Sequence, residues 1–210
     1  MGRGTVSAPN PLTGFGFRAA VTMPVRFGLL GLLTIALTLY APAWAFAVTI
    51  RTIEITQNQE AYHVTFDVLL ATEPEKTWLL LSDYHQWPLL SENLEESKLL
   101  ELFPDGRQRV RLRFRSCVLI FCKAIQQVKD IQSGQKGDLL TVMVPELGDF
   151  ASGWERWRIR AEQNETQVQY TAEIVPSFSL PPLIGPMILM GKLRSTLIET
   201  AKKLEALPAP

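Results

Sequence analysis

Histidine and cysteine are scarce, with two of each in 210 residues. A closed metal site draws about four ligands from such side chains. Two cysteines and two distant histidines do not supply them, so no metal is expected. The sequence also lacks a glycine-rich phosphate loop and a serine nucleophile elbow. His63 falls on the polar face of a strand and His85 in a turn between helices, and both read as solvated side chains. No catalytic residue is singled out, and no cofactor is expected. Acidic residues are absent before residue 47, where Arg3, Arg18 and Arg26 are the only charges. The remainder holds 18 basic against 21 acidic residues, a net charge of −3. That balance gives no electrostatic reason for a nucleic-acid partner.

What the first 47 residues do have is one uncharged run, Phe27–Ala47, preceded by Arg26. A basic residue, a leucine-rich stretch, the helix-breaking Pro42 and alanines at −3/−1 spacing match a secretory signal peptide. Cleavage after Ala45 or after Ala47 fits. The competing reading is a retained anchor, because 21 uncharged residues can span a hydrocarbon layer of about 30 Å. The dense apolar part ends by Tyr40, which favours the signal. Residues 1–22 resemble no part of a signal, so translation starting at Met23 is an expectation to check. Two parts follow: a 1–47 extension with signal peptide, and a 48–210 domain. Export to a bacterial periplasm is expected, with membrane anchoring by an uncleaved helix as the alternative.

Export changes the reading of Cys117 and Cys122, which flank Val118-Leu119-Ile120-Phe121. In a reducing cytosol they would be buried thiols. In an oxidising compartment, two cysteines facing each other across a hairpin tip can bridge.

From residue 48 onward the pattern alternates with period two. Ile53 and Ile55 share one face of a first strand, and Tyr62, Val64, Phe66 and Val68 share one face of a second. Thr72 then stands where a helix cap is expected, with Pro74 in the first turn and Glu73 and Glu75 at the positive end. A second short helix is predicted around Trp87–Asn93. Strands return at Ser97–Phe103, Arg107–Cys117, Lys123–Ile131, Leu139–Val144, Trp154–Ala161 and Gln167–Val175. In the second of these, arginines 107, 109, 111, 113 and 115 alternate with Val110, Leu112 and Phe114. A solvated face paired with acidic neighbours is the favoured account of that ladder, with binding of anionic lipid headgroups or an acidic partner as the alternative. From Pro181 to Leu207, apolar residues recur every three or four positions, the stripe of an amphipathic helix. A sheet with one apolar face must be covered, and one long helix laid across a curved sheet does so. The fold class is therefore α+β: a curved antiparallel sheet around a long C-terminal helix, with two short helices after the first strands.

The segment from Thr72 to Pro88, with Trp78 and then Asp83-Tyr84-His85-Gln86-Trp87-Pro88, narrows the match. It resembles the entry segment of the START-like superfamily of polyketide cyclases and lipid transporters (SRPBCC), nearest the coenzyme Q-binding branch. The Gly153-Trp154 step and the Pro176–Pro182 approach to the last helix are similar to that family too. The resemblance spans roughly residues 60–205. It implies the helix-grip fold and a cavity between sheet and C-terminal helix, sized for a sterol, quinone, polyketide or acyl chain.

The alternation then names the lining. From the strands come Phe66, Val68, Val110, Leu112, Phe114, Trp157, Ile159, Tyr170, Ala172 and Ile174. From the helix come Met187, Met190, Leu193 and Leu197, methionine being suited to an adaptable wall. In any helix-on-sheet domain the same residues would serve as plain core. The expected function is an exported carrier or binder of a hydrophobic small molecule, such as a lipid, quinone or polyketide-like compound. The alternative is a cyclase-like enzyme in the same cavity. Several convergent polar groups would favour the enzyme, a dry cavity the carrier. Leu119 and Phe121 are candidates for transient membrane contact, unless the tip packs under the helix. A monomer is expected.

Overall fold

The computed structural model describes residues 48–118, 121–135, 137–179 and 184–210, all within the compact unit Ala45–Pro210. The signal or anchor segment, the Met23 start and Leu119 lie outside the described residues, as does the side chain of Phe121.

Strands β1 (Thr49–Asn58) and β2 (Ala61–Leu70) form a hairpin. Its turn places Gln59 at a positive φ. Helix α1 (Pro74–Ser82), a 3-10 turn (Tyr84–Gln86) and the short helix α2 (Trp87–Leu90) follow. Six strands come next: β3 (Leu94–Leu102), β4 (Gln108–Val118), β5 (Phe121–Ser133), β6 (Asp138–Met143), β7 (Phe150–Glu162) and β8 (Glu165–Pro176). Helix α3 (Gly185–Ala206) ends the fold. The sheet runs β1-β2-β8-β7-β6-β5-β4-β3 with every neighbour antiparallel. Strands β3 to β8 are a meander that returns to pair with β2. The β2–β3 connection must therefore cross from one part of the sheet to its far edge, and α1 and α2 make that crossing. This is the helix-grip architecture expected from the strand and helix order.

Two details of the entry segment differ from expectation. Glu73, not Thr72, occupies the cap position of α1, and no side chain caps it. Thr72 is tied elsewhere, its carbonyl accepting from the Thr166 hydroxyl at 2.5 Å. Strand β3 begins three residues earlier than the predicted Ser97. Glu95 and Glu96 break the alternation there, and cross-strand pairing with Arg115 and Arg111 recovers it.

Asp83 starts the 3-10 turn by accepting from the backbone N–H of His85 at 3.0 Å. The Trp87 indole donates to the Leu81 carbonyl at 2.9 Å, satisfying an orphan acceptor at the end of α1. The Asp83–Pro88 motif thus sets the angle between α1 and α2.

The arginine ladder is a paired surface. Arg109 donates twice to Asp130, Arg111 to Glu96, and Arg115 lies 2.5 Å from Glu95. These hydrogen bonds hold Glu96 below its ordinary value and Arg109 above its own. They set register more than stability, since solvent screens exposed pairs.

Two apolar clusters fill the concave face. The larger joins Val64, Phe66, Val68 and Leu70 to Val168 and Ala172, under Leu197, Ala201 and Leu204 of α3. The smaller joins Tyr84, Leu94, Val110, Leu112, Ile131 and Leu139. Trp78, Trp87 and Trp157 pack against both. At Gly153 an added Cβ would sit 2.9 Å from the Glu173 carbonyl and 2.5 Å from Met143 Sδ. The familial Gly153-Trp154 step is therefore a close approach of β7 to its neighbours.

Candidate ligand cavity

Between the two clusters lies a cavity of about 240 Å³. Sheet residues Leu112, Phe114, Ile125, Trp157, Tyr170 and Ile174 form one wall. Helix α3 supplies Leu189, Lys192, Leu193, Thr196, Leu197 and Thr200, the i, i+3, i+4 face of one helical side. Trp87, Leu90, Ser91 and Asn93 close the end reached from α2, and Phe150 and Phe178 add aromatic surface. Arg115 also borders the cavity and is largely exposed, marking where the lining reaches solvent.

Of the side chains expected to line it, Leu112, Phe114, Trp157, Tyr170, Ile174, Leu193 and Leu197 do so. Phe66, Val68, Ile159 and Ala172 do not: they are packed core in the larger cluster, with Phe66 2% and Val68 0% exposed. Val110 is likewise core of the smaller cluster. The alternation placed them on the concave face correctly, but α1 and the C-terminal half of α3 cover that part of the face directly. Met187 is 68% exposed, and Met190 is half-buried away from the lining. The helical stripe is wider than the face that meets the sheet, and its N-terminal methionines fall outside it.

The cavity is not dry. Lys129 of β5 and Glu155 of β7 are 5% and 7% exposed and meet at 2.6 Å. Thr141 Oγ1 donates to the same Glu155 oxygen at 3.1 Å, and Gln127 Nε2 to the other at 3.4 Å. The Lys129 ammonium also sits 4.9 Å from the Trp87 ring centroid. Strands β5, β6 and β7 are consecutive in the sheet, so these groups form a band across the cavity floor. Beside it, Tyr170 packs against Trp157 with ring centroids 4.4 Å apart and the rings tilted by 46°. Burial, with a smaller contribution from the Glu155 charge, pushes the Tyr170 hydroxyl well above its ordinary value. That hydroxyl is held neutral.

The sequence carried a signal for this cluster. Glu155 is in phase with Trp157 and Ile159, and Lys129 with Ile131. A charge on the dry phase of two strands marks a buried pair or a site. His63 is half-exposed, 3.5 Å from Glu173, and His85 is exposed. Neither lines the cavity. Cys117 and Cys122 are opposite each other across β4 and β5, joined by a disulfide with Cα atoms 4.0 Å apart.

The chain is similar in fold to several solved structures. A START superfamily protein from Mycobacterium smegmatis is 22% identical, with a TM-score of 0.54 over 68% of this chain and 94% of that one. The Zhui aromatase/cyclase from Streptomyces sp. R1128 is 17% identical, with a TM-score of 0.55 over 69% and 91%. A STAR-related lipid transfer protein from Xanthomonas axonopodis is 13% identical, with a TM-score of 0.51 over 72% and 98%. No curated protein matches the chain in sequence. The family model described as polyketide cyclase / dehydrase and lipid transport matches residues 70–201. The chain, with its helix-grip fold and its cavity beneath α3, belongs to that family.

Proposed function

We propose that this protein is a carrier or binder that holds a hydrophobic small molecule, lipid, quinone or polyketide-like, between the sheet and α3. The observation that carries this reading is the cavity itself, mainly apolar and bounded by aromatic and leucine side chains. Burial of an apolar body there yields about 25 cal/mol per Å² removed from water. The coenzyme Q-binding branch is the finer placement we favour, on the Asp83–Pro88 segment. Export is part of the same proposal. It is supported by the signal-like run Phe27–Ala47 and by the Cys117–Cys122 disulfide, a bond that persists in oxidising compartments. Leu119 and Phe121 are proposed to touch a membrane while ligand passes. The exposed Ile184 and Met187 at the start of α3 are further apolar surface available for that contact.

The polar band favours a second reading, a cyclase-like enzyme. A general acid or base must reach its substrate with a proton to give or take. Lys129 and Glu155 engage each other instead, and for that reason the carrier reading stands first. The test is to isolate the chain from its native compartment and identify co-purifying small molecules by mass spectrometry. An apolar compound bound one to one and recovered unchanged supports the carrier. A chemically altered compound would support the enzyme, and a protein that is empty and takes up no apolar probe would sink both.

A further inference from the structure

We infer that the ligand is an electrically neutral molecule whose apolar body carries a carbonyl or hydroxyl head, inserted head-first onto Lys129 and Glu155. This rests on the carrier reading above and adds the chemistry of the buried end. Lys129 has three N–H donors, and Glu155 is its one hydrogen-bond partner among the described residues. Ser91, 6% exposed, lines the same cavity with its hydroxyl unpartnered among those residues. The Tyr170 hydroxyl is likewise without a hydrogen bond among them.

Three kinds of head can be compared. A pure hydrocarbon would displace water from these donors and replace it with nothing, leaving buried N–H and O–H groups unsatisfied. A carboxylate reaching Lys129 would compete with Glu155 at 2.6 Å, and the loser would be a buried, unpaired anion. A carbonyl or hydroxyl oxygen accepts from the remaining Lys129 protons while the ion pair stays intact. Because the charges of Lys129 and Glu155 cancel, the floor selects for polarity and against net charge. Arg115 and Lys192 at the lining offer an anionic head a different place. Arg115, though, is already paired with Glu95.

The full chain is loaded with the neutral fluorophore N-phenyl-1-naphthylamine, which is then displaced by naphthalene, 2-naphthol or 2-naphthoate. These share one ring system and differ only in the head. We expect 2-naphthol to displace at roughly tenfold lower concentration than either other probe, as one net hydrogen bond provides. In the double variant Lys129→Met/Glu155→Leu, the reporter still enters, and the advantage of 2-naphthol falls to within about twofold. Naphthalene or 2-naphthoate displacing as well as 2-naphthol overturns the inference, as does an advantage that survives in the double variant. The ranking on the unmodified chain decides even where that variant fails to fold. Failure of the reporter itself to enter the unmodified chain counts instead against the carrier reading.

Discussion

The concave face of this sheet has a filled half and a hollow half, built from the same alternation. On β2 and β8, Phe66 faces Tyr170 and Val68 faces Val168 in register, and α3 seals the strip with Leu197, Ala201 and Leu204. On β5 to β7 the inward positions around the cavity include Gln127, Lys129, Thr141, Glu155 and Trp157, and α3 stands off behind Thr196 and Lys192. The filled half holds branched and aromatic carbon in close contact. Polar groups in the hollow half satisfy one another sideways, strand to strand, which lets that half stay buried without being filled. Where α3 or the α1–α2 segment packs on the sheet there is core; where neither does, there is a site.

The largest effects should separate the halves outright. Phe66→Ala removes a fully buried ring and is expected to cost about 3–5 kcal/mol in urea unfolding. Leu193→Trp, on the cavity wall, should cost under about 1.5 kcal/mol and abolish uptake of an apolar fluorophore. Equal destabilisation by both would mean that the cavity is ordinary core.

The floor pair comes next. Lys129→Met alone strands Glu155 as a buried charge and is expected to cost about 3–5 kcal/mol, whereas Lys129→Met/Glu155→Leu is close to neutral. A double-mutant cycle by denaturant unfolding measures the difference. Additive losses would show that the two side chains do not act as a pair.

A smaller effect tests a charge on the filled side. Glu205 of α3 is 3% exposed, and among the described residues no hydrogen bond of normal geometry reaches its carboxylate oxygens. Burial pushes its carboxyl above the ordinary value, offset in part by the Ala71 backbone and Lys76, while Glu165 adds to the rise. The folded state therefore binds this proton more tightly than the unfolded chain. The stabilisation is complete below the ordinary carboxylate value and is lost as pH rises through the raised one. Glu205→Gln is expected to raise Tm by a few degrees at neutral pH and by nothing in acid. A gain that is independent of pH would contradict this account.

Much of the molecule was legible before any coordinates. Strand order, the long last helix and the Asp83–Pro88 motif follow from local rules: period-two alternation, helical spacing, an Asp and a Trp that each satisfy a backbone group at a helix end, and a Pro in a first turn, where its missing N–H leaves no bond unmade. Seven of the fourteen side chains expected at the wall do line it, because facing inward is a property of the phase of a strand or helix. Phe66, Val68, Val110, Ile159 and Ala172 are core instead, since phase distinguishes inside from outside but not core from cavity. Lys129 and Glu155 are not among those expectations, although their in-phase positions carry the signal. Each looks like a solvated charge until its partner on another strand is known.

The amino-acid order by itself determined which residues face inward, where the helices begin and end to within a few positions, and that one helix must cover one sheet. These are decided by backbone sterics and by the period of apolar side chains, interactions between residues close in the chain. Only the tertiary structure decided where α3 touches the sheet and where it stands away. That depends on the crossing of α1 and α2 and on pairings between residues 26 apart, such as Lys129 with Glu155. The space left over, with a neutralised ion pair on its floor, is a property of no single segment.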